Sequence, residues 1–351
     1  MSDLAAVVNA AFAYAQEPSD IETLLGPPSD AFRLPGPQGL LDFAKEVQTE
    51  EELNEILSRV VATVGVPDCF KAAVMALVCG TLVEWGADST EFGNLMLARL
   101  PGFLALAESV AEHAETVAGE ELYAASPDGF SAWQGLSLML LATMAVMTRR
   151  VDFRQAARTD AELVLSLVAL RDRNKEADFV ATTLSYTDGL EMIVLHPEEG
   201  RAFLVELEAV NTNFHLFTLL QGELVGGGLL SGEPVDPAVI GVARGEVPHE
   251  ALVSDQARFH FYNWAGLQPD GTLAENDMAT WVWGEAHPEE IPEFEGIRML
   301  ILGPPLMGVK PWDSNHFANI HDALRSSARV VQVLPEDQVA GWIEVLRRAP
   351  R

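Results

Sequence analysis

Apolar residues recur along the first half of the chain at helical spacing. Leu4, Val7, Val8, Ala11 and Phe12 follow the capping pair Ser2-Asp3 and predict a helix over Asp3–Gln16. Leu53, Ile56, Leu57, Val60 and Val61 form a second stripe, opened by Thr49 with Glu52 three residues on as a capping box. Phe70–Trp85 is apolar nearly all round, the pattern of a helix buried in a bundle. Pro101 is expected to end or kink the next segment, which resumes over Gly102–Ala118, and Asp160–Leu170 gives one more helix. The stretch Gly26–Gly39, with Pro27, Pro28, Pro35 and Pro37, reads as an irregular surface loop. These periods predict an all-helical bundle of about seven or eight helices over residues 1–175.

The pattern changes after Arg171–Asp178, the most charged window and the expected boundary to a second domain, residues 176–351. Phe179–Tyr186 is rich in Val and Thr and predicts a strand. Leu190–Leu195 and Arg201–Val210, joined by His196-Pro197-Glu198-Glu199-Gly200, predict a hairpin. Asn211-Thr212-Asn213 opens a helix carrying Phe214, Phe217, Leu220 and Leu224, with His215 off its main stripe and Gly226–Gly228 as its stop. In Ala257–Trp264, Arg258, His260 and Tyr262 alternate with Phe259, Phe261 and Asn263, which predicts a half-exposed strand with one aromatic face. Ala279–Trp283, Arg298–Leu302 and Arg329–Leu334 read as further strands. Pro335 starts a last helix, with Val339, Trp342, Ile343 and Leu346 facing inward. A hairpin followed by mixed strands and helices predicts an α+β fold: a helical-bundle N-terminal domain, then a mainly antiparallel sheet with packed helices. Arg298–Leu334 is the candidate for one parallel crossover.

Charge narrows the range of partners. The formal net charge is −30, with 12 basic and 26 acidic residues up to Glu176 (−14) and 10 and 26 beyond it (−16). Such an even acidic field repels phosphate backbones and anionic membranes and steers basic proteins or cationic ligands inward. Phe130–Met147 is 18 residues without a charge, yet Ser131, Gln134, Ser137 and Thr143 lie inside it, so it reads as a central bundle helix in preference to a membrane span. Cys69 and Cys79 stand ten residues apart in a helical pattern, roughly 15 Å, too far for a disulfide within one helix. With no basic, apolar leader at the N-terminus, the expected compartment is the cytoplasm.

Side chains capable of chemistry concentrate in Gly303–Ser327, which holds Trp312, Asp313, Asn315, His316 and His321. Asp313 or Ser314 reads as the cap of a helix from about Asn315 to Ser327, with His321 inside the stripe of Phe317, Ile320 and Leu324. His316 and His321 are five residues apart, about 140° around a helix, so they do not chelate one metal, and no metal site is expected. No nucleophile elbow, C-x-x-C pair, Walker sequence or G-x-G-x-x-G occurs, and no cofactor is expected. Asp313, His316 and His321 are the candidate acid–base residues. Trp312, Asn315 and Trp283 are the candidate ligand contacts, and Trp281, Trp283 and Trp312 could line an apolar pocket. The competing roles are ordinary: Asp313 as a helix cap and His321 as a core histidine bonded to backbone.

Two functions follow. One is a soluble intracellular binding or accessory protein acting on another protein, for which a basic one is the electrostatic match, through its acidic surface. The alternative is a small-molecule enzyme with an acid–base site near Trp312–His321.

Overall fold

The computed structural model describes residues 3–247, 254–306, 311–313 and 321–350; of 254, 255 and 311–313 it gives the backbone alone. The chain divides into two units, Met1–Ser185 and Tyr186–Arg351. Twelve basic and 27 acidic residues leave the first at −15, and 10 and 25 leave the second also at −15.

Among the described residues the first unit holds eleven α-helices: α1 (Leu4–Gln16), α2 (Ile21–Leu25), α3 (Pro35–Lys45), α4 (Glu50–Val60), α5 (Cys69–Glu84), α6 (Thr90–Ala111), α7 (Gly119–Ala125), α8 (Pro127–Met147), α9 (Val151–Thr159), α10 (Ala161–Leu170) and α11 (Lys175–Leu184). Its centre is the packing of α5 against α8. Gly80 lets α5 approach within about one methyl of Ala142, and Gly135 does the same against Ala73 from the other helix. By length and composition α8 could cross a membrane, and 78% of its most apolar window is buried. Cys69 and Cys79 are buried free thiols on α5.

Three helical expectations change. Phe179–Tyr186 is not a strand: Asn174 accepts the Ala177 N–H, and Ala177, Val180, Thr183 and Leu184 bury the inner face of α11. That is helical spacing, and the β-branched composition gave way to the cap and the period. The Pro-rich segment is also more regular than a loop, with a 3₁₀ turn at Pro28–Arg33 and Pro35 at the first position of α3, where its missing N–H costs nothing. Helix α6 runs on through Pro101.

One carboxylate ties the first unit together. Asp68 caps α5 by accepting the Lys71 N–H (2.9 Å), and it also accepts the N–H (2.7 Å) and hydroxyl (3.1 Å) of Ser19. The Ser131 hydroxyl of α8 donates to it at 3.4 Å while accepting the Phe70 N–H. Asp68→Ala should therefore cost roughly 2 kcal/mol, a lost cap plus stranded donors, whereas Asp68→Asn keeps the cap and should cost less. Urea midpoints of the two variants against the wild type check the order, and equal midpoints would refute it.

The second unit is a mixed, mainly antiparallel sheet with helices on both faces. Its elements are β1 (Leu190–His196), β2 (Arg201–Glu208), α12 (Asn213–Gln221), α13 (Pro237–Ala243), β3 (Ser254–Gln256), β4 (His260–Asn263), β5 (Glu293–Phe294), β6 (Ile297–Gly303), β7 (Pro311–Asp313), β8 (Ser327–Val333) and α14 (Glu336–Arg348). The main sheet runs β4-β6-β1-β2-β8, with β5 also on β6, and β3 pairs with β7 separately. The β1–β2 hairpin is in the register Ile193↔Leu204, and the parallel pair is β1 with β6, Met192↔Arg298 to Leu195↔Ile301. Strands β6 and β8 also run in the same direction as β1, so the expected crossover within Arg298–Leu334 joins two parallel strands of one sheet, with β1 and β2 lying between them.

One face of the sheet, with Val194, Phe203, Val205 and Leu300, packs on Phe214, Phe217 and Leu220 of α12. The other, with Ile193, Leu195, Met299 and Ile301, packs on Val339 and Leu346 of α14. Coverage of both faces explains the unbroken apolar runs in β1 and β6. It also corrects two readings. Helix α12 is buried all round, His215 included, and β4 is not half-exposed, because Tyr262 is fully buried on the α14 side.

Candidate functional site

The aromatic residues of the second unit converge at the β4 edge of the sheet. Alternation along β4 and the residue before it sends Phe259 and Phe261 toward α12. There Phe217 stacks on Phe261 with ring centroids 3.6 Å apart, and Phe259 meets Phe261 edge-on at 6.3 Å. The next segment of the site is Trp281–Ala286. Expected as a strand over Ala279–Trp283, it instead leaves a 3₁₀ turn at Met278–Thr280 and touches the sheet through a single bridge, Tyr262↔Trp281.

Backbone bonds hold this segment on two sides. Val282 N–H donates to the Phe261 carbonyl (2.9 Å), while Phe214 N–H donates to Gly284 (2.8 Å) and Asn213 N–H to Ala286 (2.9 Å). The Asn213 side chain adds a bond to the Trp283 carbonyl at 2.9 Å. The N-terminal N–H groups of α12, which have no partner inside the helix, are thus used to fix the segment against the sheet edge. Gly284 is required here, since a Cβ would lie 2.3 Å from the Phe214 ring.

Between α12, β4 and this segment lies an open pocket of about 80 Å³. Phe214, Phe217, Phe259, Phe261, Trp281 and Trp283 wall it, with His260, Ala257, Val282, Gly284, Pro305 and Leu306 completing the lining. Trp283 is 48% exposed, while Phe259 and Phe261 are buried. Among the described residues, no Asp, Glu, Lys or Arg lines it. The His260 ring meets both Tyr262 and Trp281 edge-on at 4.7 Å. The Trp281 indole N–H is buried and has no hydrogen-bond acceptor among the described residues, an arrangement that costs about 1–3 kcal/mol. The Tyr262 hydroxyl likewise has no partner among the described residues, and burial, with Glu275 nearby, pushes its pKa up to about 12.

A second cleft, about 450 Å³, lies where β8 begins, lined by Glu208, Glu223, Glu246, Arg244, Arg325 and Arg329. Its charges are internally matched. Arg244 pairs with Glu223 at 3.7 Å, and Glu223 also accepts the Val330 N–H of the edge strand.

The histidine-bearing stretch falls partly within the described residues. Asn315 and His316 lie outside the described residues, and Trp312 and Asp313 are placed by backbone only, in β7, opposite Asp255 and Ser254. His321 is not on a helix. Its Nδ1 accepts the Ala323 N–H (3.1 Å), its carbonyl accepts the Leu324 N–H, and Ser326 then donates to Arg244 and Ala209 carbonyls, drawing the chain into β8. The expected helix Asn315–Ser327 therefore fails over 321–326, where side-chain and long-range backbone bonds replace helical ones. His321 lines neither cavity. His215 is fully buried; its Nδ1 accepts the Asn211 N–H and its Nε2–H donates to the Ala243 carbonyl at 2.6 Å. Burial pushes its pKa down to about 4.

Of the ligand contacts expected from the sequence, Trp283 is at the aromatic pocket, with Trp281 beside it. The phenylalanines went unread as a site because alternation marks them only as core. Comparison of the chain with protein-family models, with curated proteins and with solved structures finds no match.

Proposed function

We propose that the chain is a binding protein that takes hold of another protein by seating one of its side chains in the aromatic pocket. The observation that carries this is the pocket's size set against its walls. Sites for substrates and cofactors typically enclose about 300–1,000 Å³. Six aromatic rings around about 80 Å³ suit one anchoring side chain, and aromatic-walled pockets of this kind concentrate binding energy. The −15 on each unit supports a basic partner, by steering its approach over a longer range than the pocket acts. The alternative, an acid–base enzyme using Asp313, His316 and His321, draws no support from His321, whose Nδ1 is engaged by backbone.

The test is selection from a displayed peptide library against the full chain, counter-selected on Trp283→Ala, a half-exposed position whose loss leaves the core intact. Enriched peptides should carry net positive charge, share one residue type at a fixed position, and bind at least fivefold more weakly to the variant. Pools that do not differ between the two proteins would remove the basis for the reading.

A further inference from the structure

Resting on that reading, we infer that the side chain taken up is an arginine, its guanidinium laid flat on the indole of Trp283 with Trp281 as the second wall. Three observations carry this. The first is which ring faces a ligand can reach. Phe217 and Phe261 are turned face to face at 3.6 Å, and Phe259 is buried in an edge-on contact with Phe261. Trp283 is 48% exposed and Trp281 is half-buried. Both line the pocket, with ring centroids 5.9 Å apart and planes at 50°, so the two indoles form a V. Among aromatic side chains an indole face attracts a cation most strongly.

The second is size and shape. A cavity of about 150 Å³ holds benzene, so about 80 Å³ takes a group of roughly four heavy atoms. A guanidinium is one carbon and three nitrogens in a plane, and such a plane stacks on aromatic faces. A phenyl ring is too large, and a lysine ammonium is a compact ion that sheds its water at greater cost. Leucine fits the volume equally well, so charge is what sets arginine apart.

The third is that charge. The unit that holds the pocket carries −15, which draws cations inward. The wall segment itself bears an exposed carboxylate, Glu285, next in sequence to Gly284. Because the pocket is open, the rings cover the weakly hydrated faces of the guanidinium while its N–H edges keep water at the mouth. A charge held this way escapes the desolvation that a closed apolar cavity would impose.

The experiment measures binding of short lysine-rich peptides to the full chain. They differ only at one central position, which is arginine, lysine, leucine or citrulline, the last being the neutral counterpart of arginine in the same shape. The arginine peptide should bind roughly fivefold more tightly than each of the others, the gain from setting a cation on a desolvated indole face. The arginine and lysine peptides carry equal charge, so their ratio reports the pocket and not the field, and it should persist at high salt. Trp283→Ala should abolish the preference, and Trp283→Phe, which keeps a ring face, should retain part of it.

Equal binding of the lysine peptide would mean that only the acidic field is felt. Equal binding of the leucine or citrulline peptide would mean that the pocket takes a neutral group. A preference for arginine unchanged in Trp283→Ala would place its site elsewhere on the chain. Each of these overturns the assignment and leaves the anchoring pocket to the library selection. If no peptide binds while that selection succeeds, the arginine assignment fails alone; if both fail, the binding reading falls with it. Methylguanidinium separates a protein-borne group from a free one. It should compete with the arginine peptide only at much higher concentration, and equal potency would overturn the assignment to a protein side chain.

Discussion

Acidification from pH 7 to 4 should destabilise the wild-type protein by about 3 kcal/mol more than His215→Gln. The imidazole is fully buried, and burial holds its pKa at about 4, against 6.5 for the free side chain. The unfolded chain therefore binds a proton through a pH range in which the folded chain does not. The stability associated with neutral His215 is complete above about pH 6.5 and is lost as the pH falls toward 4. A gap of about 2.5 pKa units at 1.36 kcal/mol each sets the scale. His196 is shifted downward too, mainly by burial, and works in the same direction.

Protonating carboxylates meanwhile relieves repulsion in a chain of net charge −30, which opposes the trend, so the difference between proteins is the informative quantity. Gln keeps a donor for the Ala243 carbonyl but cannot titrate in this range. Urea unfolding followed by tryptophan fluorescence suits the measurement, because five of the seven tryptophans lie in the second unit. Parallel pH profiles for wild type and variant would show that His215 is not the acid-sensitive group.

What could be read from the sequence follows the range of the interactions involved. The β1–β2 hairpin and α14 are set by local signals: a turn of Pro and Gly between two apolar runs, and a helical stripe after Pro335. The parallel pairing of β1 with β6 joins residues about a hundred positions apart, and nothing in either strand names its partner. Helix α11 was obscured because Val and Thr favour strands in isolation, while the Asn174 cap acts only once the helix exists. His321 was misplaced for a related reason. Its stripe spacing was real, but the bonds from Ser326 to Arg244 and Ala209 come from distant chain and prevail locally. The pocket draws on α12, β4, the Trp281–Gly284 segment and Pro305-Leu306, so no one stretch displays it. Only the paired tryptophans gave a local hint, one that buried core tryptophans give equally well.

Because the pocket walls are also the core, truncating one of them should change stability and ligand size together. Phe261→Ala is expected to cost about 3–5 kcal/mol, the range for a buried phenylalanine. It removes the ring stacked on Phe217 and touching Phe259, while the backbone bond from Val282 to residue 261 can persist. The vacated ring space adjoins a pocket of about 80 Å³, so the enlarged cavity should admit a molecule the size of benzene, which the wild type excludes. Benzene should then restore part of the lost stability, about 1.4 kcal/mol at ten times its dissociation constant, and none in the wild type. Phe261→Leu, with a smaller deficit, provides the same comparison if the alanine variant is too unstable to purify. Thermal unfolding with and without benzene decides the matter. A cost below about 1 kcal/mol would mean that the Phe217–Phe261 stack is not part of the core, against the usual cost of losing a buried ring. A full cost without rescue would mean that the surrounding chain collapses into the space, so that Phe261 fills the core without shaping the pocket.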